Sequence, residues 1–349
     1  MARDLKLGLN TGYWSSGPPP GALEAVQEAD RLGLDSIWTA EAYGSDVLTP
    51  LAWWGSHTKN VQLGTAIMQM SARTPAAAAM AAMTMDHLSG GRFILGLGVS
   101  GPQVVEGWYG QPFAKPLART REYVKIVRDI VARGDRVTAE GPHYPMPYPD
   151  GTGLGKPLRS TLHPVRDEIP VFLGAEGPKN VALAAEICDG WLALFYSPQN
   201  ETFYKDALAE GFARESARHT AEDFEVYATV PVIIHDDVQQ AADWIRPMYA
   251  LYFGGMGARD ANFHHNVAIR LGFEAEAKRI QDLYLDGKKQ EAEAAVPLEL
   301  LERTNLVGPE GYIKERIAAF EESGVTSLQV APASDDPAAL VRQLKEWVS

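Results

Sequence analysis

Short apolar segments alternate with helix-like segments along most of this chain, and the alternation restricts the possible folds more than any other feature. In the first third of the chain, four strand-like segments and the helix-like segments between and after them occupy residues 5–10, 23–32, 35–43, 47–57, 61–68, 75–88, 92–98 and 117–132. Connections between neighbouring parallel strands are almost always right-handed, which places the helices on one face of the sheet. This part of the chain therefore predicts a parallel sheet covered by helices on its outer face.

The second half of the chain continues the pattern, with two interruptions. Further strand-like segments occupy residues 169–178, 190–195, 224–234 and 325–332, and a closing helix ends near Trp347. Eight strands with helices between them predict an α/β fold, a (β/α)8 TIM barrel that forms one domain over residues 1–349. Two insertions, at about 135–167 and 258–302, are expected near the carboxyl-terminal mouth, where their aromatic and histidine side chains could reach a substrate: Tyr144, Tyr148, Phe263 and His264.

The fourth strand opens into a glycine-rich turn, in the segment GGRFILGLGVSGPQVVEGWYG at residues 90–110. Gly96, Gly98 and Gly101 leave no side chain between the backbone and a ligand, so amide N–H groups could approach a phosphate or a flat ring. The same glycines could equally serve a tight turn. The carboxyl ends of the strands are nevertheless where a barrel of this kind places its site.

Composition excludes several classes of function. The formal net charge of −13 argues against a nucleic-acid partner, because phosphate neutralisation requires an excess of Lys and Arg. We expect no membrane span and no signal peptide, and hence a cytoplasmic protein. The lone Cys188 is interpreted as a small buried residue. The adjacent His264 and His265 do not form a metal-binding pattern, so no metal is expected.

Aromatic side chains follow several of the predicted strands. The set consists of Tyr13, Trp14, Tyr43, Trp108 and Tyr196. A wall of this kind suits a planar organic ring better than a sugar phosphate or a metal. The alternative is that these aromatics only cap the barrel core.

Several longer segments carry a family resemblance. They are DSIWTAEAYGSD, GTAIMQMSARTPAAAAM, HLSGGRFILGLGVSGPQVVEGWYG, IPVFLGAEGPKNVALAAEICDGW and LVGPEGYIKERIAAFEESGV. Together they resemble the bacterial luciferase-like superfamily. More narrowly, they resemble its coenzyme F420-dependent oxidoreductases of the methylenetetrahydromethanopterin reductase-like type found in mycobacteria and other actinobacteria. The resemblance implies a deazaflavin-dependent oxidoreductase that transfers a hydride to or from a small organic substrate.

The resemblance also implies roles for particular residues. It places a non-prolyl cis peptide bond at Ala66–Ile67, behind the deazaflavin ring, and an acidic residue facing that ring at Glu41. The implied coenzyme-binding residues are Asn10, Glu41, Ala66, Ile67, Gly98, Val99, Ser100, Gly101, Gln103, Val104, Gly174, Ala175, Glu176, Gly177, Pro178 and Lys179. The implied substrate residues are Tyr13, Tyr43, Trp108 and Tyr196. Independently of the family, residues 177–180 begin a helix, so its free N–H groups beside Lys179 predict an anion site.

One position departs from the sugar- and alcohol-oxidising members of the resembled group. Those members carry a histidine after the acidic residue of strand two, and here that position is Ala42. Without this base, a reductase direction is favoured over dehydrogenation. Glu41 is the candidate catalytic residue, either as a proton donor of raised pKa or as an anchor for the ring.

Two alternatives to the F420 assignment stay open, and an oligomeric state is expected. An FMN-dependent luciferase-like monooxygenase would use a similar tricyclic coenzyme, and a non-catalytic flavin-binding barrel would bind it without turnover. The helices at 47–57 and 75–88 look apolar over more of their circumference than a barrel requires. This predicts a homodimer formed through Trp53, Trp54, Met80, Met83 and Met85.

Overall fold

The computed structural model describes residues 4–259 and 262–348, and its centre is a closed barrel of parallel strands. The strands are β1 (Lys6–Asn10), β2 (Ser36–Thr39), β3 (Gln62–Thr65), β4 (Met68–Gln69), β5 (Phe93–Gly98), β6 (Val171–Gly174), β7 (Gly190–Leu194), β8 (Glu225–Ile234), β9 (Leu306–Gly308) and β10 (Ser327–Pro332). Strand β10 pairs with both β1 and β8, which closes the barrel. Strand β4 continues the line of β3, and β9 is an extra strand on the end of β8. The predicted eight-stranded (β/α)8 barrel is confirmed.

Helices surround the barrel and fill the insertion between β8 and β9. They are α1 (Ala22–Arg31), α2 (Leu48–Ser56), α3 (Pro75–Ser89), α4 (Pro102–Gly107), α5 (Pro116–Ala132), α6 (Pro178–Ile187), α7 (Glu201–Phe212), α8 (Val238–Asp243), α9 (Arg246–Ala250), α10 (Phe263–Arg270), α11 (Glu274–Leu285), α12 (Lys289–Ala294), α13 (Leu298–Thr304), α14 (Glu310–Glu322) and α15 (Pro337–Val348). Helix α3 begins where its sequence indicates, because the Thr74 hydroxyl accepts the Ala77 N–H and Pro75 occupies the first turn. No helix among the described residues is long and apolar enough to cross a membrane.

Large side chains fill the inside of the barrel, so it contains no open channel at this level. The layer consists of Trp38, Ile94, Phe172, Leu192 and Tyr227, with Ala66 and Ile67 packed against it. Trp38 and Tyr227 meet edge to face, with their ring centroids 5.6 Å apart. A ligand must therefore bind above this layer, at the carboxyl ends of the strands.

The first insertion, residues 135–167, joins the end of α5 to the start of β6. Both of its ends therefore lie at the amino-terminal face of the barrel, opposite the mouth where we expected the segment. Its middle runs back along α5, where the Tyr144 ring packs edge-on against Tyr123 and its hydroxyl accepts from Arg119. Only this part of the segment extends toward the mouth.

The second insertion is helical and begins at Val238, earlier in the chain than the predicted residue 258. Its helices α8 to α13 have an apolar cluster of their own, which includes Tyr249, Phe253, Ile280 and Leu301. Phe195, which directly follows β7, joins this cluster, so the insertion is packed against the mouth of the barrel.

Helices α2 and α3 bury most of the residues on which we based the dimer interface. Trp54, Met83 and Met85 lie in the main core between the sheet and the helices. Trp53 and Met80 remain 56 % and 62 % exposed. Three of the five residues predicted for the interface are therefore buried in the barrel core, which explains why the two helices look apolar on many sides. Cys188 is fully buried, as interpreted, and burial raises the pKa of its thiol to about 12.

Candidate active site

Loops that follow β1, β2, β5 and β6 meet above the aromatic layer and form the candidate active site. Asn10, at the end of β1, is buried, and its Oδ1 accepts the Gly12 N–H at 2.8 Å. This hydrogen bond fixes the turn that leads to Tyr13. The turn thus holds Tyr13 at the mouth, beside Tyr43 of the β2 loop, and burial raises the pKa of Tyr13.

Glu41, in the loop after β2, is buried and accepts four hydrogen bonds. Its Oε1 accepts from the Gln69 N–H at 2.8 Å and from Arg73 Nη1 at 2.7 Å. Its Oε2 accepts from the Val47 N–H and from Arg73 Nη2, each at 3.1 Å. Four donors thus occupy both carboxylate oxygens. These contacts make Glu41 part of the wall of the mouth, and its two predicted roles, proton donor and ring anchor, stay predictions.

Gln69 and Tyr109 hold the neighbouring backbone of the same loop. The Gln69 side-chain amide donates to the carbonyl oxygens of Glu41 and Ala42, at 3.1 and 2.8 Å, and the Tyr109 hydroxyl also donates to Ala42. At Ala42, where the sugar- and alcohol-oxidising members carry a histidine, the chain thus presents a fixed backbone carbonyl. Arg73 was not among our candidates, although its position after β3 makes it a neighbour of the loop after β2.

The peptide bond between Ala66 and Ile67 is cis, at the dipeptide where the resemblance implies such a bond. The Ile67 side chain lies between Gly98 and Gly174. A Cβ atom on Gly98 would lie 2.7 Å from Ile67 Cδ1, and one on Gly174 would lie 2.8 Å from Ile67 Cγ2. A Cβ on Gly96 would meet the Thr65 carbonyl at 1.8 Å. Gly96 and Gly98 thus accommodate neighbouring protein atoms, and a backbone contact of these glycines with a ligand stays a prediction.

The loop after β5 leads into the short helix α4. Ser100 has a positive φ of 57°, which turns the chain toward Gly101 at the start of the helix. Val99 and Val104 are half-buried, whereas the side chain of Gln103 is exposed. Trp108, at the end of the helix, is 66 % exposed on the rim of the mouth. The loop thus presents backbone and one amide side chain toward the mouth.

The loop after β6 leads into α6, whose first turn is open. Gly177 has φ −79°, no atom lies within 4 Å of the place where its Cβ would be, and no side chain of the described residues caps the helix. Lys179 is exposed and makes no ion pair within the part of the chain that the structure describes. Asn180 Oδ1 is buried without a hydrogen-bond partner among these residues. An open helix N-terminus beside an unpaired lysine can hold a phosphate.

Behind this turn, Glu176 contacts the second insertion. Its Oε1 is 2.6 Å from His264 Nδ1, and its carbonyl accepts from Arg270 Nη2 at 3.0 Å. Because a carboxylate only accepts, the His264 proton lies on Nδ1 in this contact. Tyr252 packs against the His264 ring with centroids 4.8 Å apart, and its hydroxyl is hydrogen-bonded to Tyr13. The contact joins residues 88 positions apart, and no local sequence pattern indicates it.

Tyr196 does not lie at the mouth, so its prediction as a substrate residue is wrong. Strand β7 ends at Leu194, and Phe195 then takes a left-handed conformation with φ 57°. This ends the alternation of side-chain directions along the strand. The Tyr196 ring therefore stacks on Tyr204 in the helical layer, with their ring centroids 4.5 Å apart. Its hydroxyl donates to the Ser323 carbonyl at 3.2 Å. Tyr43, by contrast, is exposed at the mouth.

Residues 4–259 and 262–348 contain no group of three His, Cys, Asp or Glu side chains that could hold a metal ion. The site is therefore a set of backbone amides, aromatic rings and paired acids. These features suit an anionic ligand with a flat ring.

Comparison with known proteins identifies several relatives. Residues 8–327 match the family model described as "Luciferase-like monooxygenase". A Mycobacterium tuberculosis protein named "Putative coenzyme F420-dependent oxidoreductase" is 54 % identical over 347 residues, 98 % of this chain and 100 % of that protein. The 5,10-methylenetetrahydromethanopterin reductase of Archaeoglobus fulgidus is 28 % identical, over 87 % of this chain and 86 % of its own. The structure of the coenzyme F420 dependent tetrahydromethanopterin reductase from Methanopyrus kandleri superimposes with a TM-score of 0.79, at 21 % identity and over 98 % of each chain.

Proposed function

The chain belongs to the luciferase-like monooxygenase family and to its coenzyme F420-dependent oxidoreductases, and we propose that it transfers a hydride from reduced F420 to a small organic substrate. The observation that carries this proposal is the 54 % identity to the mycobacterial F420-dependent relative over nearly the whole of both chains. F420 supplies the hydride from its reduced deazaflavin ring. The protein binds and orients the coenzyme and handles the accompanying proton.

The open first turn of α6 fits the coenzyme phosphate. Backbone N–H groups at Gly177 and Lys179, with the positive end of the helix dipole, would donate hydrogen bonds to the phosphate oxygens. A side chain at Gly177 would fill this space. The ring would then lie above Ile67, between the β2 and β5 loops.

Glu41 shapes this pocket without reaching the reacting atoms as an acid. Its carboxylate ties the β2 loop to Arg73 and to the backbone that follows Ile67. We therefore assign it the role of a positioning residue. Loss of its charge would disturb the wall on which the ring rests.

His264 is the proposed source of the proton that accompanies hydride transfer. Glu176 holds its Nδ1, which leaves Nε2 as the exchanging atom. The Tyr252 ring packs against His264, and its hydroxyl is hydrogen-bonded to Tyr13, so the two tyrosines would relay a proton toward it. A donor on this side of the mouth, together with Ala42 in place of a histidine, favours the reductase direction and a C=C, C=N or C=O substrate.

Coenzyme binding and hydride exchange test the proposal in two steps. The purified protein is titrated with F420 and with FMN, and reduced F420 is then mixed with a panel of enones, imines and ketones. We expect F420 to bind, FMN to bind weakly, and reduced F420 to be oxidised only when an acceptor is present. Preferential FMN binding with oxygen-dependent oxidation would favour the monooxygenase alternative. Tight F420 binding without exchange on any acceptor would favour the non-catalytic barrel.

We further propose a homodimer in the cytoplasm. Trp53 and Met80 are exposed on neighbouring helices, and they would supply apolar side chains to the interface. The single cysteine is buried, which is typical of a chain that does not depend on disulfides. Sedimentation at micromolar concentration is expected to give a dimer, and Trp53→Glu is expected to give a monomer. A wild-type monomer would contradict the interface.

A further inference from the structure

A single turn of π-helix, which we call the π-turn, occupies Leu251–Gly255 in the second insertion, directly after α9. The Met256 N–H donates at 2.8 Å to the Leu251 carbonyl, five residues back, where an α-helix bonds four residues back. Such turns are rare and are often found at functional sites. This one carries Tyr252, whose hydroxyl is hydrogen-bonded to Tyr13 at the mouth of the barrel. The π-turn therefore supplies a side chain to the candidate active site.

Asn262 ties the π-turn to helix α10. It is 4 % exposed, and its Nδ2 donates to the carbonyl oxygens of Tyr252 and Phe253 at 2.9 and 3.0 Å. Its Oδ1 accepts the His265 N–H at 3.1 Å, which makes Asn262 the N-cap of α10. The carbonyls of a last helical turn and the N–H groups of a first turn have no partner within their own helix. One buried amide thus supplies partners to both.

The two elements that Asn262 joins carry Tyr252 and His264, whose rings pack with their centroids 4.8 Å apart. The His264 ring also meets the Glu176 carboxylate, 2.6 Å from Nδ1, and the Phe195 ring, edge-on with centroids 5.9 Å apart. His264 is the second residue of α10, so its backbone belongs to the turn that Asn262 caps. Glu176 and Phe195 thus hold His264 from the barrel side, and Asn262 holds it from the side of the insertion.

We propose that Asn262 is a positioning residue, which sets the contact between Tyr252 and His264 and thereby directs the His264 proton to the substrate. The inference rests on the proposed function, in which His264 Nε2 supplies that proton. The proton goes to the end of the substrate double bond that does not take the hydride, and the imidazole is reprotonated from solvent. Without the amide of Asn262, we expect the π-turn and α10 to separate and the proton donor to be misplaced.

Asn262→Ser removes the amide and keeps the helix cap, because Ser and Asn are about equally good N-caps. The serine side chain is one bond shorter and does not reach the two carbonyls. We expect this variant to fold, because the His265 ring also donates to the Phe253 carbonyl. Tyr284 of α11 in addition packs directly against the π-turn at Gly255. Asn262→Asp keeps the size and the cap but, when ionised, cannot donate to the carbonyls, so it should behave alike.

Hydride transfer from reduced F420 to the fastest acceptor among the enones, imines and ketones measures the effect. We expect Asn262→Ser to lower kcat about tenfold, which is part of the roughly hundredfold or more that a well-placed general acid contributes. The solvent isotope effect on kcat should rise, because proton transfer becomes slower. The KM for the acceptor and the Kd for F420 should stay nearly unchanged, because the buried amide contacts protein groups.

The proton on His264 Nδ1 provides a second measurement, which requires neither coenzyme nor substrate. A proton held in a 2.6 Å hydrogen bond to a carboxylate resonates far downfield in the NMR spectrum. The signal is assigned by its absence in His264→Gln. We expect it to be lost or shifted upfield in Asn262→Ser, because the ring is no longer held against Glu176 from the side of the insertion.

Asp237→Ala is the matched control. Asp237 is exposed and caps α8 in the same insertion, where its carboxylate accepts the N–H groups of Gln239 and Gln240. The control weakens the start of a helix without removing a contact to the π-turn. It should leave kcat, the isotope effect and the NMR signal unchanged.

The outcomes separate this inference from the proposed function. A wild-type kcat or an unchanged Nδ1–H signal in Asn262→Ser overturns the positioning role of Asn262. An equal fall of kcat in Asp237→Ala also overturns it, because any loosening of the insertion would then have the same effect. If the wild type reduces no acceptor, the proposed function fails, and the NMR signal alone decides whether Asn262 positions His264.

Discussion

Glu41 and Arg73 form a two-point ion pair that joins the loops after two neighbouring barrel strands, with N–O distances of 2.7 and 3.1 Å. The Glu41 side chain is only 3 % exposed, whereas that of Arg73 is 20 % exposed. Two backbone N–H groups complete the coordination of the carboxylate. The acid is therefore part of the wall of the mouth, and its charge is already balanced inside the protein.

Glu41→Gln is expected to destabilise the protein by about 3 kcal/mol, the effect of removing one member of a buried pair. The amide nitrogen of Gln would face a donor, and Arg73 would lose its counter-charge. Denaturant unfolding measures this loss. The matched control is Glu201→Gln, which removes an exposed pair with Lys205 and should change stability little. Unchanged stability in Glu41→Gln with slow hydride transfer would instead identify Glu41 as the proton donor.

Gly177→Val is expected to weaken F420 binding by about tenfold to a hundredfold, the loss of one charge-assisted hydrogen bond or two. The valine fits the backbone, since φ at this position is −79°, and its side chain would occupy the space in front of the helix N–H groups. Stability should change little. Gly134→Val, in an open position at the far end of α5, is the control and should bind F420 normally. Normal binding by Gly177→Val would move the phosphate site elsewhere.

Gly174→Ala and Ile67→Ala are expected to be coupled in stability. The new Cβ at residue 174 would lie 2.8 Å from Ile67 Cγ2, and such overpacking typically costs about 1–3 kcal/mol. Ile67→Ala removes the clashing methyl group. The double variant should therefore be less destabilised than the sum of the single ones, by about 1 kcal/mol. Simple additivity in the unfolding free energies would show that the two positions do not contact each other.

Glu186 should contribute to the pH dependence of stability. Its pKa is about 2 in the folded protein, against an ordinary value of 4.5, chiefly because Arg121 donates two hydrogen bonds to the carboxylate. Its contribution is therefore fully present above pH 4.5 and is lost as the pH falls from 4.5 toward 2. Thermal melts of the wild type and Glu186→Gln should differ at neutral pH and converge over this interval. A difference that stays constant down to pH 2 would exclude a depressed pKa.

The alternation of strands and helices was sufficient to predict the barrel, because burial on both faces leaves a readable apolar run in each parallel strand. Short elements carry no comparable apolar pattern. Examples are helix α4, which is shorter than two turns, and the three-residue strand β9. The sequence also does not show in which direction a side chain points once a strand has ended. At Tyr196, one left-handed residue before it reverses the expected orientation.

The site was predicted in part. The family motifs located the loops of the site and the cis dipeptide. The structure adds the side-chain contacts between residues that are far apart in the sequence. Arg73 could have been inferred, since β2 and β3 are neighbours and a buried acid requires a partner. The contact between Glu176 and His264 could not, because strands β7 and β8 and helices α6 to α9 separate β6 from α10 in the sequence.

The separate apolar cluster of the second insertion has a consequence for how such enzymes diversify. The helices between Val238 and Thr304 pack mostly on one another, while the proposed phosphate turn of α6 and the Glu41–Arg73 pair belong to the barrel. If the proposed sites are right, mutations in the insertion can reshape the surroundings of His264 at little cost to coenzyme binding. For the proposed reductase, natural selection can then change which substrate is reduced while the coenzyme stays the same.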